Sequence, residues 1–227
     1  MVNYFFLDKK RLQWATVYKR NKVLFMGKAE ENKRQKKDAL MHGAFDLFTT
    51  KGIANTSIAE IAEKAGVGKG TFYSYFKDKG DIHDRLVVRI SSEVFSKAKT
   101  ALDQTSLDTL EDQVLFIADN IIDQLKNDRL TTRFISKNLS WGVFQTFMST
   151  TADTASVDFN RIFQDAFNRS PVKYKDPFLL IYMIIELVNG TCYSAILYQK
   201  PKPVDELKPD LYEAIRAIMR VNEVHSA

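Results

Sequence analysis

Two helix starts, one helix stop and a compact turn lie between Thr56 and Lys79, and no other stretch of the chain constrains the fold so tightly. Ser57 can cap a helix with its hydroxyl while Glu60, three residues on, reaches back to the Ser57 amide, the reciprocal pattern of a capping box. Ile58, Ile61, Ala62 and Ala65 then share one narrow apolar face, with Glu60, Glu63 and Lys64 opposite. Gly66 follows where a helix end favours a residue tolerant of positive φ, and Val67 can fill the angle between two helices. The stretch reads as a helix-turn-helix.

The second helix opens with Gly68, Lys69, Gly70 and Thr71, small or cationic, and becomes bulky only with Phe72, Tyr73, Tyr75 and Phe76. Its first turn can therefore approach another molecule closely. A recognition helix sets its N-terminal residues against base edges in the major groove, which points to Lys69, Gly70, Thr71 and Ser74 as base contacts. Phe72 and Phe76, four apart, anchor the inner face. Ser57, Tyr73 and Tyr75 can offer hydroxyls to phosphates, contacts that fix register without reading sequence. Asp78, with Asp81 as its box partner, caps the next helix, and Lys79 at its first position makes a further anion site.

These residues resemble the DNA-binding domain of the tetracycline-repressor (TetR) family of bacterial transcription regulators, from about Gln35 to Leu86. The matching pieces are Ala44-Phe45-x-Leu47-Phe48-x-x-x-Gly52, Thr56-Ser57-Ile58-x-x-Ile61-Ala62-x-x-Ala65-Gly66-Val67 and Lys69-Gly70-Thr71-Phe72-Tyr73-x-Tyr75-Phe76-x-x-Lys79. Gly68 stands where the family often has Ser, and Gly80 where it often has Glu. The resemblance implies a ligand-responsive regulator, most often a repressor, that binds a double-stranded operator as a homodimer and senses a small molecule of unknown identity in its C-terminal domain. It also implies that the helix Asp81–Thr100 is the lever between the two.

Charge is divided unevenly. Residues 1–80 carry a net +8 and residues 81–227 a net −3, so the basic part is the part that holds the motif. That asymmetry fits a protein touching phosphates at one end. Lys33, Arg34, Lys36 and Lys37 crowd the start of the preceding helix. Lys33 and Lys37 are read as phosphate contacts, against the alternative of a solvated basic face. The single cysteine, Cys192, sits among apolar neighbours, reads as core, and suggests a reducing, cytoplasmic compartment. His42, His83 and His225 lack metal-ligand spacing, and His83 reads as a surface residue, with a phosphate contact as the alternative. No phosphate loop, Gly-x-Ser-x-Gly elbow, His-Glu-x-x-His or Cys/His pair is present, so an enzyme is not expected, nor is a cofactor.

Residues 1–25 mix aromatics with six basic side chains and fall outside the motif. They form either a basic amphipathic helix on DNA or a membrane surface, or a non-native extension before Met26; we read Met26 as the natural start. Helical period runs from about Glu30 to Thr50, ending at Gly52, then over Asp81–Thr100, Leu107–Leu125, Arg129–Leu139, Trp141–Met148, Thr154–Asn168, Pro177–Tyr198 and Pro203–Asn222. No long stretch alternates with period two. The expected fold is all-α: a helix-turn-helix DNA-binding domain over 26–80 and a helical ligand-binding and dimerisation domain over 81–227.

The run Phe178–Ile185 is far below membrane length and reads as buried on several sides, so no membrane partner is expected. That helix and the last, with Leu211, Ile215, Ile218 and Met219, are expected to form a four-helix seam with a second copy. A dimer would place two recognition helices on a palindromic operator. Trp141, Phe144, Phe147, Met148, Phe163 and Tyr182 are the candidate lining of a ligand pocket, although helical spacing makes core the default for any one of them. The rival reading is a sensor or interaction protein of the same fold without specific DNA binding.

Overall fold

The computed structural model describes residues 5–136, 145 and 158–224, with side-chain surroundings from Gly27 onward. Among these residues the chain forms helices and no strand: α1 (Phe5–Lys51), α2 (Ile58–Lys64), α3 (Lys69–Tyr73), α4 (Lys79–Leu102), α5 (Leu110–Asn127), α6 (Arg129–Ser136), α7 (Phe159–Arg169), α8 (Pro177–Tyr198) and α9 (Val204–Val221). One isolated antiparallel bridge joins Tyr174 to Glu223. The all-α expectation holds.

The chain divides into two compact units, residues 1–82 and 83–227, and the division falls within α4. In the first unit α2 packs on α1 and on α3. Leu40, Met41, Ala44 and Phe48 of α1 are buried, as are Ile61 and Ala62 of α2, Phe72 of α3, and Phe76. The crossing of α1 and α2 is close at Gly43, where a Cβ would come 3.3 Å from the Ile61 carbonyl oxygen. The first helix is longer than its apolar period. Periodicity begins near Glu30, yet α1 continues back to Phe5. No glycine or proline interrupts residues 5–26, and Lys, Arg and Leu are good helix formers, so propensity carries the helix where no apolar stripe exists.

In the second unit α9 packs on α8 and α5, and α8 also packs on α6 and α5. Leu211, Ile215 and Met219 of α9 are almost wholly buried in this core together with Leu180, Ile184 and Cys192 of α8. This corrects the expected seam: three of the four α9 residues assigned to a second copy face their own chain, and only Ile218 stays partly exposed. The membrane argument also changes. The whole of α8 is long and apolar enough to cross a membrane by length and composition, so the eight-residue run was too short a window. Six residues of α8 are nevertheless buried in the core.

A polar cluster joins α5 to α9. The Lys208 ammonium donates to Asp119 at 2.5 Å and to Asp123 at 2.6 Å, and the Tyr212 hydroxyl donates to Asp119 as well. Burial resists ionisation of Asp119, but the bonds from Lys208 and Tyr212 outweigh it and hold the carboxyl below its ordinary range. Cys192 is 2% exposed, and burial pushes its thiol upward, as befits a core residue. His83 is not a surface residue: its side chain is 12% exposed, its ring lies edge-on to Phe134 at 5.5 Å, and Nδ1 is 3.0 Å from Asp84.

Candidate nucleic-acid interface and ligand cavity

The start of α2 is fixed as its sequence requires. The Ser57 hydroxyl accepts from the Glu60 amide at 3.3 Å, and Glu60 Oε2 accepts from the Ser57 amide at 2.8 Å, so the capping box is complete. Lys51, in the last turn of α1, binds the other oxygen of the same carboxylate. The Lys51 bond, followed by those from the Ser57 amide and hydroxyl, lowers the Glu60 pKa to about 2. A second ion pair, Lys64 to Asp46 at 3.2 Å, crosses between the same two helices.

The turn that follows is a Schellman closure. Val67 N donates to Ala62 O at 2.9 Å and Gly66 N to Glu63 O at 3.0 Å, with Gly66 at φ +68°. A glycine is required there because a Cβ is strained at positive φ. The chain then enters α3 through Gly68, which caps with extended backbone and no side chain.

In α3 the inner and outer faces separate cleanly. Phe72 and Phe76 are 0% and 1% exposed, with ring centroids 5.6 Å apart, and they hold the helix on the module. Lys69, Gly70 and Ser74 are exposed and Thr71 is half-buried, so the four expected base-contact residues share an accessible edge. Ser74 Oγ returns a bond to Gly70 O at 3.3 Å. Tyr73 is 53% exposed and Tyr75 half-buried. Lys33 and Lys37 are exposed on α1, with Lys33 at 3.7 Å from Glu30, an exposed pair of little energy.

Lys79 departs from its expected role. Its ammonium turns inward and donates to the carbonyls of Ile53 at 2.6 Å and Thr56 at 2.9 Å, with Ala54 at 3.4 Å. A group so engaged is not offered to a phosphate, because the three donors of the ammonium are directed at its own chain. The first turn of α4 is capped by Asp78, whose Oδ1 accepts from Asp81 N at 2.8 Å. The Asp81 carboxylate in turn accepts from Lys77 N at 2.8 Å, one residue further back than the amide of Asp78. Gly80 fits this turn, since a Cβ there would stand 3.1 Å from Asp78 Oδ1.

The second unit contains a partly open cavity of about 660 Å³, within the range of small-molecule sites. Val94 and Phe95 of α4, Val114 and Ile121 of α5, Phe163 of α7, and Ile181, Ile184 and Val188 of α8 line it. Lys99, Asp103, Asp108, Arg161, Asp165 and Arg169 are its charged members. Of the residues assigned to a pocket from the sequence, Phe163 lines the cavity. Tyr182 does not, because α8 turns its neighbour Ile181 inward instead. Trp141, Phe144, Phe147 and Met148 lie outside the described residues. Phe95 and Ile121 had no distinguishing signal, as both read as ordinary core positions.

Residues 40–86 match the family profile described as bacterial regulatory proteins, tetR family. The probable HTH-type transcriptional regulator YttP of Bacillus subtilis is 31% identical over 104 residues, which is 46% of this chain and half the length of that relative. Two crystal structures share the fold. A protein from Shewanella sp. PV-4 assigned to the tetR family superposes with a TM-score of 0.57 at 19% identity, covering 84% of this chain and 99% of the other. The transcriptional regulator FadR of Bacillus subtilis, solved in complex with stearoyl-CoA, gives 0.55 at 15% identity over 78% of this chain and 96% of that one.

Proposed function

We propose that this chain, whose residues 40–86 match the tetR family profile, is a DNA-binding regulator, a ligand-responsive repressor acting as a homodimer on a palindromic operator. The observation that supports this most is the edge of α3. Lys69, Gly70, Thr71 and Ser74 lie together and accessible while Phe72 and Phe76 lock the opposite face. Such an edge can enter a major groove and present side chains of different chemistry to successive bases. Tyr73, Tyr75, Ser57, Lys33 and Lys37 are assigned to phosphates, which set the register.

In this reading residues 26–80 bind DNA and residues 81–227 sense ligand and dimerise. Two copies would meet through α8 and α9, on faces outside the Leu211–Ile215–Met219 core. The effector is a largely apolar small molecule held in the α4–α5–α7–α8 cavity, and the stearoyl-CoA complex of FadR supplies a precedent of that chemistry on the same fold. Binding there would act through α4, with a coupling of about 1–3 kcal/mol between ligand and operator.

Base contact is tested by parallel selection of bound DNA with the wild type and Thr71→Ala. The variant is expected to relax preference at one position in each half-site and leave the remainder of the consensus unchanged. An identical consensus for both proteins removes Thr71 from the base-reading set.

A further inference from the structure

The loop between α1 and α2 has carbonyls to place, and their distribution is informative. Lys51 O accepts from Asn55 Nδ2 at 3.0 Å, and Gly52 O accepts from the Thr56 hydroxyl at 2.8 Å. Ile53 O takes the Thr56 amide at 3.2 Å. Thr56 is 3% exposed, so its carbonyl is poorly placed for water. The oxygens of Ile53, Ala54 and Thr56 converge on one point, and the Lys79 ammonium occupies it. The next residue after Thr56 is Ser57, the cap of α2.

We propose that Lys79 is a positioning residue for DNA binding: its ammonium closes a three-carbonyl cup on the α1–α2 loop and so fixes the first turn of α4 to the cap of α2. The proposal rests on the DNA-binding reading of the preceding subsection. The geometry has two consequences. The capping box sets the direction of α2, and the Schellman turn carries that direction into α3, so the edge Lys69–Ser74 depends on where Ser57 sits. The grip also comes from the helix whose course continues past the division between the two units. A displacement of that first turn is therefore passed to the α1–α2 loop through the Lys79 side chain, beside the direct backbone link from α4 to α3.

An ammonium suits the cup because one nitrogen carries three donors at tetrahedral angles, whereas a planar guanidinium spreads its donors over three nitrogens. A lysine in this role also contributes nothing to counterion release, which separates it from a lysine on a phosphate.

The experiment uses the full chain and the variants Lys79→Met and Lys79→Arg. Operator affinity is measured against salt concentration, and amide exchange over Ala54–Ser57 is followed by mass spectrometry. For Lys79→Met the expected result is a loss of about tenfold in operator affinity with an unchanged salt slope, and faster exchange in the loop. For Lys79→Arg, which keeps the charge, a loss of several-fold is expected with the same slope. A slope lower by about one in Lys79→Met makes the residue a phosphate contact and overturns the proposal. Loop exchange that rises while operator affinity stays at the wild-type value also overturns it, since the cup is then structural only. Should Lys79→Met fail to fold, Lys79→Arg binding as tightly as wild type has the same force. Absence of any site preference in the wild type is a failure of the DNA-binding reading itself; the exchange measurement then still reports on the cup.

Discussion

The two units hold their geometry by different means. The module of α1–α3 has a small apolar core that includes the rings of Phe48, Phe72 and Phe76, and its shape is set as well by directed contacts: the Ser57–Glu60 box, the Gly66 turn, and the Lys51–Glu60 and Lys79–carbonyl links. The unit of α5–α9 is held by a broader apolar core, with polar links such as the Lys208 cluster, Lys126–Asp205 and Arg216–Glu111, and it contains a cavity of about 660 Å³. A directed contact has one good geometry, whereas an apolar wall tolerates several packings. The contrast suits the proposed division of labour between a rigid reader and an adaptable sensor.

The largest expected effect is on the reader. Phe72→Ala removes a wholly buried ring from the α3 anchor and is expected to cost about 3–5 kcal/mol in denaturant unfolding, with DNA binding lost at ambient temperature. Next is Gly43→Val, which forces a branched side chain into the α1–α2 crossing; a cost of about 1–3 kcal/mol is expected by the same measurement. A milder result at both positions would erase the distinction drawn between the units. In the sensor, Ile121→Phe adds volume at the cavity wall. A stability change below about 1.5 kcal/mol is expected, together with loss of the effector response in an operator-release assay.

The smallest effect is electrostatic and concerns the α2 cap. The Glu60 pKa lies at about 2, below its ordinary 4.5, so the contribution of this carboxylate to stability is complete above about 4.5 and is lost as pH falls from there toward 2. A carboxyl titration by NMR should place Glu60 near 2 in the wild type and move it upward in Lys51→Met. An unchanged value in the variant would show that the Ser57 bonds alone hold the group down.

The two units also differ in how much of them the sequence disclosed. Ser57, Gly66, Phe72 and Phe76 were legible because each owes its role to residues within five positions of it, and local rules for caps, turns and helix faces apply. The inward turn of Lys79 was not legible because its carbonyl partners lie 23 to 26 residues earlier, and a helix N-terminus with a lysine looks the same whether the ammonium points out or in. The Lys51–Glu60 pair spans nine residues across a turn, beyond helical neighbours. In α8 the apolar residues run nearly all round, so no phase distinguished Ile181 from Tyr182, and the cavity wall fell one residue from its expected place. In α9 the phase is clear, but a stripe does not say what covers it: Leu211, Ile215 and Met219 pack on their own α5 and α8 rather than on a second copy.

The central claim is that the α3 edge reads sequence as one half of a two-fold protein. Selection of bound fragments from a genomic library with the full chain tests it most directly. The account predicts enrichment of a two-fold symmetric consensus whose half-sites are centred about 34–36 Å apart, one helical turn of DNA, or a multiple of it. Recovery of fragments at their input frequencies, with no shared sequence, would contradict it.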